Sequence, residues 1–163
     1  MNTEKHAISD LFMLRLIISH WIIVSTITAY FFDAFTIGIV GGGILTAIAY
    51  ISYTLFLNTE VYSFIVALVL LTFSIIMIQQ SLGRIEMHFH IFASLSFLVI
   101  YRSYKVITAA ASFILIHHLV FNYLQEYNIS LFDTSIVVFN YGCGLDIVIL
   151  HASFVILEWL VLN

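Results

Sequence analysis

The chain has 163 residues, 63% of them hydrophobic and only 9% charged, with a formal net charge of −4. Soluble domains carry roughly a quarter charged residues, and one of this length has too little interior to hide so much apolar surface. The composition excludes a soluble globular protein, and the weak, dispersed acidity excludes nucleic-acid binding. A polytopic membrane protein remains. The single cysteine, Cys143, excludes an internal disulfide and a Cys-pair zinc motif. The chain contains no proline, so no helix break can be attributed to one.

Met1 to Asp10 is polar and lacks the charged start, short apolar core and cleavage site of a signal peptide, so the first apolar stretch reads as a retained span. A spanning helix needs ~20 mostly apolar residues. Residues 11–32 supply the first, closed by Asp33. Residues 37–57 form the second and contain Gly41-Gly42-Gly43, a run suited to close helix approach. After the polar turn Asn58-Thr59-Glu60, residues 61–80 form the third. The polar re-entry from Ser81 to Met87 carries Arg84 and Glu86 and opens a short fourth span, about 82–100, broken by Tyr101-Arg102-Ser103-Tyr104-Lys105. Residues 106–124 form the fifth. Gln125 to Tyr141 is mixed, with Ile136 to Phe139 expected in the membrane interface, and residues 145–162 form the sixth.

The sequence thus predicts one all-α integral-membrane domain over 1–163, a helical bundle with six transmembrane helices and membrane lipid around it. Lys5 precedes the first span, and Arg102 and Lys105 lie between the fourth and fifth. With six spans they fall on one side, which the positive-inside rule makes cytoplasmic, together with both termini. Arg84 is the one dissenter, on the outer side.

Six of the seven histidines fall inside these spans. Ionisable residues in hydrocarbon are costly and mark functional sites by default. A helix rises ~1.5 Å per residue, which places His88 and His90 at the outer mouth of the fourth span, His117 and His118 roughly 10 Å below the outer end of the fifth, His151 roughly 10 Å below that of the sixth, and His20 about 17 Å down the first. Five histidines on three helices therefore share the outer half of the membrane, and His6 stays on the solvated tail. Facing limits the set. His88 and His90 differ by roughly 200° around a helix and cannot both address one site on regular geometry. His117 and His118 differ by about 100°. His118 and Asn122 share a face, as do His151 and Glu158, a pairing that permits a signal path inward.

Imidazole ligates copper, zinc, iron and nickel. Two or three histidines with an open or thioether position suit copper, and Met87 adjoins His88. Zinc prefers four ligands, of which Glu86 can supply one. The plainer alternative is that each histidine hydrogen-bonds across helices for modest stability, the reading that suits His20 best. Arg84 and Glu86 form an outer-loop ion pair or act behind a ligand histidine. Asp146 reads as a wet helix-end carboxylate and Cys143 as a turn residue.

Gly83-Arg84-Ile85-Glu86-Met87-His88-Phe89-His90 and the following Ile91 to Leu98, Tyr101-Arg102, Ala109-Ala110-Ala111 leading into His117-His118-Leu119-Val120-Phe121-Asn122-Tyr123-Leu124-Gln125, and His151-Ala152-Ser153-Phe154-Val155-Ile156-Leu157-Glu158 carry a resemblance. Together they resemble the N-terminal integral-membrane sensory domain of some bacterial methyl-accepting chemotaxis proteins and of related histidine kinases and diguanylate cyclases. The resemblance spans about Leu11 to Leu162 and is most specific over Gly83 to Gln125. It implies a multi-pass protein of the bacterial inner membrane, a homodimer, and a cytoplasmic signalling module outside this chain. It also implies a histidine-bound metal such as copper on His88, His90, His117, His118 and His151, with no counterpart for His20.

The leading expectation is a sensor or ligand-binding domain that holds a metal ion, copper ahead of zinc, near the periplasmic face, with Glu86, Arg84, Asn122 and Glu158 as supporting or relay residues. A haem-binding or electron-transfer protein is the alternative, since two histidines on separate helices can be axial ligands. A proton-coupled transporter or enzyme ranks last. The sequence offers no nucleophile–base constellation and no broken-helix pair of the transporter kind.

Overall fold

A computed structural model of the chain describes residues 3–131 and 134–162, apart from the side chains of residues 3–6, 131 and 134. The side chains of Lys5 and His6, placed on the tail above, lie outside the described residues. The described residues are all-α except for one two-residue β pairing. Its helices are α1 (Thr3–Ser25), α2 (Ile27–Phe32), α3 (Gly42–Phe56), α4 (Glu60–Gln80), α5 (Ile85–Phe97), α6 (Tyr104–Glu126) and α7 (Leu145–Leu162). A π-helical turn (Ile37–Gly41) leads into α3, and a 3-10 turn (Leu98–Tyr101) continues α5.

α4 organises the bundle. It is apolar on every side, the pattern of a helix with neighbours all round, and α1, α3, α5 and α6 pack against it. Tyr62, Val66, Leu70, Leu71 and Phe73 on α4 are fully buried. α7 is the opposite case. It packs on α6 and α5, while Ile149, Leu150, Phe154, Leu157, Leu160 and Val161 stay exposed. Such a surface suits lipid tails, because a helix satisfies its own backbone and needs only apolar side chains outward.

Among the described residues, five helical segments are long and apolar enough to cross a membrane: Ala7–Phe32, Ile37–Phe56, Glu60–Gln80, Tyr104–Glu126 and Leu145–Leu162. They match five of the six expected spans within a few residues. The expected span at 82–100 is shorter than that. Ile85–Tyr101 is an apolar helix of 17 residues or fewer, about 25 Å long at the usual rise against a hydrocarbon core of ~30 Å. The cause lies at the end of α4. Leu82 takes the left-handed conformation (φ 52°) and Gly83 follows at φ 77°. Gly83 N–H then donates to the Ile78 carbonyl and Leu82 N–H to the Gln79 carbonyl, a Schellman termination. Arg84 is extended, so residues 82–84 are spent on the turn. α6 ends the same way, with Asn128 left-handed and Ile129 N–H reaching the Leu124 carbonyl.

The first span is interrupted without proline. Thr26 leaves helical geometry (φ −121°, ψ −74°) and separates α1 from α2. Gln80, buried at the end of α4, takes up the freed groups. Its Nε2 donates to the Val24 and Ala34 carbonyls at 2.9 Å each, and its Oε1 accepts from the Thr28 hydroxyl at 2.7 Å. A side chain that re-satisfies broken helix carbonyls is what lets a membrane helix bend. Toward the other end of α4, the Asp10 carboxylate accepts from Asn58 N–H at 2.9 Å and ties α1 to the turn before α4.

Between α6 and α7, Ser130–Leu131 pairs antiparallel with Thr134–Ser135. Ile136, Val138 and Phe139 then turn inward and are buried. Whatever their depth in the membrane, these side chains are turned into the protein, and Phe139 fills the end of the bundle.

The glycine contribution also differs from expectation. Gly42 does allow close approach, since a Cβ there would sit 2.7 Å from Trp21 Cδ1, but Gly43 has only ordinary contact with the same ring. The tightest site is Gly38, outside the predicted run, where a Cβ would run into the Val24 carbonyl. Gly38→Ala is therefore expected to cost about 1–3 kcal/mol by overpacking and Gly43→Ala less than about 1 kcal/mol. Unfolding in detergent checks this, and equal effects at the two positions would contradict the packing.

Candidate functional site

Three helices converge at the end of the bundle that carries the 127–144 loop. Each contributes one histidine: His88 from α5, His118 from α6 and His151 from α7. In each ring Nδ1 lies against the carbonyl four residues back on its own helix. The distances are 3.0 Å to Arg84 O, 2.8 Å to Ile114 O and 3.0 Å to Ile147 O. A carbonyl only accepts, so Nδ1 carries the proton in each ring, and in the neutral tautomer Nε2 holds a free lone pair. Fixing the far nitrogen on a carbonyl is the usual way a ligand imidazole is oriented.

The three ring centres are 5.3 Å (His88–His151), 5.5 Å (His88–His118) and 5.9 Å (His118–His151) apart. Metal–nitrogen bonds of about 2.0–2.1 Å put a ring centre about 3.2 Å from the ion, and three rings sharing it about 5.5 Å from each other. The ring spacing fits. Nε2 of His88 and of His118 are buried with no hydrogen-bond partner among the described residues. The Val138 backbone approaches His88 without meeting it in hydrogen-bond geometry. Nε2 of His151 instead accepts from the Tyr141 hydroxyl at 3.0 Å. Burial pushes that hydroxyl above the ordinary tyrosine range, so it stays a donor at neutral pH. Among the described residues, as they stand, no group of three or more His, Cys, Asp or Glu could hold a metal ion. The triangle has the ring separations of such a site, with a tyrosine hydroxyl on one of its nitrogens.

Phe139 completes the cluster. Its ring centre is 5.5 Å from His88, 5.5 Å from His118 and 4.5 Å from His151. A point that far from all three corners lies off the plane of the triangle, so the phenyl covers one face. Phe139 is fully buried and its backbone is clamped. Gln125 Oε1 accepts from Val138 N–H at 2.7 Å and Phe139 N–H at 3.1 Å, and Gln125 Nε2 donates to the Phe139 carbonyl at 2.8 Å. Asn140 N–H donates to the Gly83 carbonyl at 3.1 Å. Gly83 is required there twice over, by its positive φ and because a Cβ would stand 2.8 Å from Phe139 N. Sequence reasoning quoted Gly83 and Gln125 inside motif segments and gave them no role. A glutamine at the end of an apolar helix was the available signal.

The remaining candidates distribute as follows. His117 is buried, meets His118 edge-on at 5.3 Å and packs on Phe121 at 4.1 Å, and neither of its nitrogens has a partner among the described residues. His90 turns away from His88, as the two-residue spacing requires. Its Nε2 is 2.8 Å from Nε2 of His20, and its Nδ1 is 2.8 Å from the Ser74 hydroxyl. His20 Nδ1 is committed to the Leu16 carbonyl at 2.6 Å. His20 Nε2 therefore accepts, His90 Nε2 donates, and His90 Nδ1 accepts from Ser74. The interhelical hydrogen bond expected for His20 is present, and it engages His90 too.

Arg84 supports His88 through its main-chain carbonyl, while its guanidinium lies 5.4 Å over the Phe32 ring. Asn122 shares a face with His118 but reaches beyond it, and its Oδ1 accepts from Gly144 N–H at 2.9 Å, pinning the chain just before α7. Glu158 accepts from the Ser96 hydroxyl at 3.1 Å, tying α7 to α5. Glu86 is exposed in the first turn of α5, and Asp146 and Cys143 are exposed. Met87 packs against the core.

No family model matches this chain, and neither the curated proteins nor the solved structures contain a match. Gln125→Leu strips the Phe139 segment of three hydrogen bonds. It is expected to destabilise the protein by about 1–3 kcal/mol through orphaned buried backbone groups. Thermal unfolding of the purified variant checks this, and an unchanged midpoint would contradict the clamp.

Proposed function

We propose that this chain is a multi-pass membrane sensory domain that binds a metal ion through Nε2 of His88, His118 and His151, with copper ahead of zinc. One observation carries the reading. Three imidazoles from three helices have their Nδ1 atoms committed to their own helices and their centres 5.3–5.9 Å apart. A set of separate stabilising hydrogen bonds would give each Nε2 its own partner, yet two of the three have none among the described residues.

In this reading α5 crosses with the five longer helices to give six spans. Local thinning or flanking polar residues accommodate its short length. Both termini are cytoplasmic and the triangle lies just inside the periplasmic face. An ion favours whichever helix arrangement it binds more tightly, by the difference in affinity. α7 is the helix free to respond, since little of its surface is buried within the chain. Drawing His151 toward His88 and His118 displaces the Tyr141 hydroxyl from Nε2 and shifts α7 against α5 and α6. That movement reaches the cytoplasmic end through α7, where Glu158 meets Ser96. A homodimer and a cytoplasmic output module belong to the same proposal, and the resemblance to chemotaxis-receptor sensory domains supports it.

Elemental analysis of protein purified in detergent tests the site. His88→Ala, His118→Ala and His151→Ala are each expected to weaken metal retention more than tenfold, because even groups behind a ligand are worth about 10–100-fold. His90→Ala and His117→Ala are expected to stay within a few-fold of the parent. Full retention in all three triangle variants, with helical content preserved, would end the proposal.

A further inference from the structure

Resting on the metal reading above, we infer that the triangle is built for a soft, monovalent, three-coordinate cation, copper(I), and that Phe139 favours this by covering one of the two faces from which a fourth ligand could approach. Three features of the site point the same way.

The first is shape. A catalytic or divalent zinc site keeps a fourth position for water or another ligand. Here one face of the triangle is covered by a fully buried phenyl ring whose centre is 4.5–5.5 Å from all three imidazoles. Gln125 and Gly83 fix the backbone at Val138, Phe139 and Asn140, and close packing around the fully buried ring holds its rotamer. Water and carboxylate are thus kept from that side, while the ring offers a π face that attracts cations.

The second is charge. The hydrogen-bond partners of the three rings are the carbonyls of Arg84, Ile114 and Ile147 and the hydroxyl of Tyr141. None is a carboxylate. Zinc-binding histidines commonly lean on carboxylates that offset the double charge. A neutral ligand set holding a divalent ion in an apolar interior leaves two uncompensated charges. The desolvation cost rises steeply with charge, so a monovalent ion is favoured.

The third is ligand number. Two-thirds of the triangle's ligating nitrogens are already desolvated and without a partner, and the third holds only a neutral tyrosine hydroxyl. Three imidazoles at trigonal spacing complete the coordination of a filled-shell monovalent ion with no further donor. His117, the neighbouring unpartnered ring, meets His118 edge-on and packs against Phe121, so it stands outside the triangle.

The test is a pair of anaerobic titrations of the full chain in detergent, one with copper(I) and one with zinc(II), each against a competing chelator. X-ray absorption of the copper-loaded protein accompanies them. The expected result is one copper(I) per chain, bound at least roughly 100-fold more tightly than zinc(II), with three nitrogen neighbours. Phe139→His adds a fourth nitrogen donor and is expected to raise zinc(II) affinity about tenfold or more, while Phe139→Leu keeps the face covered and keeps the copper(I) preference. If Phe139→His does not fold, the parent's selectivity and its coordination number still decide. Zinc(II) bound as tightly as copper(I), or four nitrogen neighbours around copper, would overturn this inference and leave the histidine site standing. Binding of neither ion would remove the site itself.

Discussion

The hydrogen bond from a histidine Nδ1 to the carbonyl four residues back on its own helix is the constraint from which the site follows. It recurs at His20, His88, His118 and His151. A helix carbonyl already engaged in the backbone ladder still has a lone pair to offer, so the bond forms without breaking the helix. It settles tautomer and rotamer together and points Nε2 across the bundle. Where two such rings come from different helices, their free nitrogens meet something off-helix. For His20 that is His90. For His88, His118 and His151 it is one another's neighbourhood, closed by Phe139 and Tyr141. The same local device therefore makes a satisfied structural pair on one side of α5 and an unsatisfied triangle on the other.

The loop between α6 and α7 covers one face of that triangle with Phe139. α6 holds it at two places one helical turn apart, through Asn122 at Gly144 and Gln125 at Val138 and Phe139. The turn after α4 holds it through Gly83. α7 enters the bundle already positioned by α6. Its own packing is slight, so the histidine it carries and the contact of Glu158 with Ser96 weigh heavily in where it sits. A ligand that pulled on His151 would act on the least buried helix of the bundle.

Much of the fold was readable from the chain. The spans at 61–80 and 145–162 emerged almost residue for residue, because long apolar runs there stop at turn-forming or polar residues. The division of His88 from His90 followed from helical angle alone. What escaped was decided by groups far apart in sequence. The break at Thr26 is held open by Gln80, more than fifty residues on. The late start of α5 comes from a leucine accepting left-handed geometry in the α4 terminus, a position usually given to glycine or asparagine. Gly38 lies outside the glycine run that drew attention. Phe139 looked like one more apolar residue in a mixed loop, and only its backbone clamp and its place over the triangle distinguish it. Asn122 was singled out for sharing a face with His118, yet its partner is Gly144.

The central proposal is that a metal ion draws the Nε2 atoms of His88, His118 and His151 to one point while their Nδ1 atoms stay bound to their own helices. Nitrogen-15 NMR of histidine-labelled protein, recorded before and after addition of silver(I) as a redox-inert monovalent probe, measures this directly. The account predicts that the Nε2 signals of His88, His118 and His151 shift together at one equivalent while their Nδ1 signals remain protonated and those of His20 and His90 hold still. Shifts at Nδ1, or a response confined to His20 and His90, would contradict it.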